Sequence, residues 1–193
     1  VVNLTIEDIL RLREHGLEFY LIEGNHDIAS ARADSIPECS IGTLLSIFPT
    51  IPSIPGVQDA AHFGEDNPTD APVAFTHRLV FPDESSKPPM AKGVTSQEIL
   101  DDVFPKAKWV FTGDYHHSFH YESGGRHVVN TGNLIAHNAS MIETEARIAF
   151  IDLEAEVVEW INVPDDPSLL SREHLDVVER RENRLSAFME HIK

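Results

Sequence analysis

A layered α/β domain is the fold class this sequence predicts, and three observations carry the prediction. Short β-rich runs at residues 18–23, 72–77, 108–113 and 128–133 are interspersed with helical stretches and loops, as in a sheet flanked by helices. Three of those runs end in polar clusters, where open α/β sheets carry their ligand-handling residues. The length of 193 residues and a hydrophobic content of 41% suffice for one core and hardly for two independent domains.

The opening reads as a helix, with Thr5 as N-cap and Leu4 and Ile9 at staple spacing. Ile6, Ile9, Leu10 and Leu12 give its apolar stripe, and Gly16 stops it. The run at 18–23 is a strand that ends in Gly24-Asn25-His26-Asp27, and residues 41–48 suit a short helix. From 49 to 71 prolines, glycines and acids follow no period, so this reads as a long excursion or lid, with Asp59, His62, Glu65 and Asp66 as its polar groups. The strand at 72–77 ends on His77. Thr95-Ser96-Gln97-Glu98 is a capping box opening a helix through Phe104, with Val94 and Ile99 as its staple. A third strand at 108–113 runs into Asp114-Tyr115-His116-His117, and a fourth spans 128–133. Residues 147–153 and 157–163 form a β-hairpin joined through Glu154-Ala155-Glu156. A closing helix runs from about 172 to 192, capped by Ser171, with Leu175, Val178, Leu185, Phe188, Met189 and Ile192 as its stripe.

Composition narrows the function. Fifteen Lys plus Arg against 32 Asp plus Glu give a formal charge of -17, which argues against coating nucleic acid or anionic membrane by charge alone. A single cysteine, Cys39, excludes a disulfide framework and a cysteine-built zinc site. No apolar run approaches the roughly 18 residues of a membrane span, and the first residues lack signal-peptide architecture. The expectation is a soluble, cytoplasmic globular domain with no membrane partner. Its unusual feature is eleven histidines beside three tyrosines and two tryptophans.

The strand-end clusters Asn25-His26-Asp27, His77, and Asp114 with His116 come from distant parts of the chain, yet the sheet brings them to one edge. Amide oxygen, imidazole and carboxylate suit Mn, Fe, Zn or Mg better than a thiolate-preferring metal. A lone strand-end histidine is more often a hydrogen-bonded surface residue, and Gly-Asn-His-Asp alone can be a polar turn. Their succession, each after a strand, is the more specific signal. His120 and His127 read as surface residues.

Gly24-Asn25-His26-Asp27, then His77, then Gly113-Asp114-Tyr115-His116 resemble the last three motifs of the calcineurin-like metallophosphoesterases, whose pattern is Asp-x-His, Gly-Asp, Gly-Asn-His-Asp/Glu, a single His, and Gly-His-x-His. Val129-Asn130-Thr131-Gly132-Asn133-Leu134 is similar to the family's Asn-Pro-Gly-Ser stretch after the last motif. The spacing and closing segment look most like the SbcD-like DNA exonucleases and their phage and bacterial relatives. The resemblance implies a calcineurin-like β-sandwich flanked by helices, with a closing β-hairpin and C-terminal helix. The first two motifs are absent, so the chain resembles the C-terminal portion of such a catalytic domain over residues 1–163, with 164–193 as an amphipathic helix. Asp114 stands where the family has His; aspartate is an acceptable hard ligand, and assigning His117 or His120 instead would break the spacing.

The resemblance further implies two divalent ions in a complete site, Mn foremost. Asn25, His77 and Asp114 would contribute to one and His116 to the other. His26 would stand beside the phosphate, oriented by Asp27, which also suits a helix N-cap. The implied activity is phosphodiester hydrolysis, with DNA as the leading substrate and an exo- or endonuclease as the leading enzyme. A phosphatase or phosphodiesterase acting on a small molecule or phosphoprotein is the alternative. A truncated, non-catalytic interaction module is the other, with the C-terminal helix as the site of a homo-oligomer or partner-subunit contact.

Overall fold

The computed structural model describes residues 2–22, 24, 33–48, 57–59, 71–134 and 144–164. Two compact units divide the chain, Val1–Gly132 and Asn133–Lys193. The described residues have mixed α/β content, and none of their helices is long and apolar enough to cross a membrane.

The first unit opens with helix α1 (Val2–Glu14). It begins a turn before the expected Thr5 cap, because nothing in Val2-Asn3-Leu4 breaks a helix. Its end matches the expectation at Gly16: the Gly16 N–H donates to the Arg13 carbonyl and the Leu17 N–H to that of Leu12, the paired bonds of a Schellman motif. The apolar stripe is narrower than expected, since Ile9 is buried while Leu10 and Leu12 are exposed. Residues 18–22 form no strand beyond an isolated bridge at Leu21; β propensity without a paired neighbour does not make a strand. Helix α2 (Ser40–Ile47) agrees with the expected helix and buries Ile41.

The rest of the first unit is built on a five-stranded sheet. Its strands are β1 (Val57–Asp59), β2 (Val73–Thr76), β5 (Trp109–Thr112), β6 (Phe119–Ser123) and β7 (Arg126–Asn130), in the order β1-β2-β5-β7-β6. β1 is a short edge strand within the segment expected to be irregular. The first four strands of that order run parallel, and β6 pairs antiparallel with β7. Between β2 and β5 lie β3 (Val80–Phe81) and β4 (Val94–Thr95), a small parallel pair. The capping box is present: the Glu98 N–H donates to Thr95 Oγ1 and the Thr95 N–H to Glu98 Oε2. The helix it opens, α3 (Ser96–Glu98), widens at once into a π-turn over Ile99–Val103, a departure from the regular helix expected through Phe104. That wider turn belongs to the segment that fills the core. Ile99, Leu100, Phe104 and Ala107 pack with Val80 against Ala74, Val110 and Val128, the central residues on one sheet face.

The other face carries a row of rings. Phe75 lies 4.7 Å from Phe111, and Trp109 stacks on His127 at 4.0 Å between centroids. His120 stands next, its Nε2 3.0 Å from His127 Nδ1. His127, expected at the surface, is 2% exposed, because β7 is an interior strand and Trp109 covers the ring.

In the second unit, β8 (Arg147–Asp152) and β9 (Val157–Asn162) form the expected hairpin. Asp152 Oδ1 accepts from the Glu154 and Ala155 N–H groups, closing the turn as an Asx motif. The expected closing helix lies outside the described residues.

Candidate functional site

Parallel pairing aligns the C-terminal ends of β2, β5 and β7. Thr76 pairs in register with Thr112, and Thr112 with Asn130, so His77, Gly113 and Thr131 form the next row at one sheet edge. His77 Cδ2 lies 3.6 Å from where a Cβ at Gly113 would stand. The imidazole and the Gly113-Asp114 turn are therefore lateral neighbours. His77, Asp114 and His116 are all half-buried, so each keeps access to solvent. Asn25, His26 and Asp27 lie outside the described residues, as do His62, Glu65 and Asp66.

The loop that carries Asp114 and His116 is held from beneath by Asn130. This side chain has no exposed surface and sits at the end of β7. Its Nδ2 donates to the carbonyls of Tyr115 and His117, at 2.5 and 2.8 Å, and its Oδ1 accepts from Thr112 Oγ1 at 2.9 Å. Two carbonyl partners on one side and a hydroxyl donor on the other fix which end of the carboxamide faces the loop. Gly132 tightens the fit: its φ is +70°, and a Cβ there would lie 2.8 Å from the His116 carbonyl oxygen and from the Ser118 nitrogen. Tyr115 packs edge-on to Phe81 at 5.2 Å and to Phe119 at 5.9 Å.

The donor set suits a divalent ion in kind, with two imidazoles and a carboxylate on segments that continue from adjacent strands. It is incomplete by itself: among the described residues, no three His, Cys, Asp or Glu side chains gather closely enough to hold an ion. An ion at this edge would draw on further donors, for which Asn25 is the expected residue.

Sequence reasoning missed the structural use of Asn130 and the strand β6. The signal for β6 was present, since Phe119-His120-Tyr121-Glu122-Ser123 precedes Gly124-Gly125, a two-residue hairpin turn. Both glycines have positive φ, +60° and +73°, as a type I′ turn requires. The role of Asn130 had no local signal, because its partners lie 13 to 18 residues away. No family model, curated protein or solved structure matches the chain.

Proposed function

We propose that the chain belongs to a metal-dependent phosphoesterase that hydrolyses phosphodiester bonds, DNA foremost, on the calcineurin-like plan, with the five-stranded sheet as one layer of its sandwich. The observation that supports this reading is that His77 lies laterally beside the turn leading into Asp114, at the C-terminal edge of adjacent parallel strands. His77 and Asp114, with Asn25, would hold one divalent ion, and His116 would contribute to a second. Such ions, Mn foremost, supply Lewis acidity and charge neutralisation at the transferring phosphoryl group. His26 would hold a proton for the leaving oxygen, and Asp27 would fix the tautomer and tilt of that ring. The acidic balance of the chain does not oppose a phosphodiester substrate, because bound cations dominate the local potential. A single cysteine accords with a cytoplasmic setting.

Metal content after Mn loading, measured beside hydrolysis of bis(p-nitrophenyl) phosphate, linear duplex DNA and a phosphomonoester, tests the proposal. The expected result is Mn-dependent cleavage of both diesters, abolished by chelator. His77→Ala should lose about one ion per chain, with at least about a tenfold drop in rate. His26→Ala should slow turnover while the bound metal stays. Activity confined to the monoester would replace the nuclease by a phosphatase. An inert chain that retains no metal would leave the interaction-module reading in its place.

A further inference from the structure

β5 and β6 are consecutive in the chain but not neighbours in the sheet, because β7 lies between them. Residues 113–118 must therefore cross two strand spacings, about 10 Å, over the C-terminal end of β7. The crossing segment forms neither helix nor strand, yet it carries Asp114 and His116. A segment of that kind presents its side chains reproducibly only when something outside it fixes its backbone.

We propose that Asn130 is the positioning residue of the candidate site: its carboxamide, oriented by the Thr112 hydroxyl, locks the loop that presents Asp114 and His116 beside His77. The chemistry of the group matches the task. Both amide hydrogens are used, one on each loop carbonyl, and the amide oxygen is held from the strand below. Asn130 is fully buried, so water does not stand in for a lost partner. Aspartate, the closest in shape, would remove both donors and set a carboxylate against two carbonyl oxygens. Gly132 completes the clamp by letting the strand end pass under His116 and Ser118 without a Cβ. What the loop presents its side chains to rests on the phosphoesterase reading; the locking of the loop does not.

The test combines Mn2+ affinity, read from the electron paramagnetic resonance of free Mn2+, with amide hydrogen exchange of residues 114–118, read by NMR. The variants are Asn130→Asp, Thr112→Val and Thr112→Ser, each checked for folding by circular dichroism. Thr112→Val keeps Asn130 and removes only the hydroxyl that orients it, so it serves where Asn130→Asp does not fold. The expected result is a weakening of Mn2+ binding by about 10–100-fold in Asn130→Asp and Thr112→Val. Exchange should quicken over 114–118 in both, and Thr112→Ser should restore both readouts. Unchanged affinity and exchange in a folded Thr112→Val or Asn130→Asp variant would overturn the proposal. If the parent chain binds no Mn2+, the phosphoesterase reading fails. Exchange alone then decides: quickened exchange in the variants sustains the lock, and unchanged exchange removes it.

Discussion

At the scale of single residues, the pairing of the exposed His120 ring with the buried His127 ring makes the clearest energetic statement. Burial, then the neighbouring His127, pushes the His120 imidazole below its ordinary pKa, against a smaller opposing pull from Glu122. The folded state therefore binds that proton less tightly than the unfolded chain does. Stability from this source is complete above the unfolded value of about 6.5 and is lost as pH falls through it toward the lower folded value. The urea midpoint should drop between about pH 7 and pH 5, and His120→Gln should flatten that slope; an equal slope in the variant would remove the assignment. At this scale the sequence was a partial guide. The placement of His77 and Asp114 at strand ends was readable from each β-rich run and the polar residues directly after it. The burial of His127 was not, because it depends on Trp109 in a strand reached only through the sheet order.

At the scale of elements, local chemistry was legible in several places where partners are close in sequence, though the β6 hairpin at Gly124-Gly125 was missed despite its local signal. The box formed by Thr95 and Glu98 is such a case, and the Glu98 carboxyl is held below its usual range first by the Thr95 N–H and further by Lys87. Thr95→Ala should cost about 1 kcal/mol in urea unfolding, because Thr95 is buried and its hydroxyl caps the segment that fills the core. A loss below about 0.3 kcal/mol would show that packing alone holds α3. The hairpin β8–β9 was readable for the same reason, its alternation and turn being adjacent. The isolated bridge at Leu21 and the edge strand β1 were not: each depends on whether a remote partner arrives, which no local pattern encodes.

At the scale of the whole molecule, charge and connectivity dominate. A formal charge of -17 on 193 residues stores self-repulsion that added salt screens. Raising NaCl from about 0.02 to about 0.3 M should raise Tm, by about 2–4 °C for each kcal/mol of repulsion relieved. A flat or falling Tm would mean that attractive ion pairs, such as that of Arg126 with Asp101, outweigh the excess of acids. The mixed α/β class was legible from the run of elements, whereas the order β5-β7-β6 was not, since it is set by which strands find each other in three dimensions. That order also has a consequence for biosynthesis. β5 and β6 leave the ribosome before the strand that joins them, so β7 is inserted between two strands already made. A chain arrested before Asn130 lacks the keystone of that sheet and shows chaperones an open pair of strand edges, and completion of the last few residues of β7 is the step that seals it.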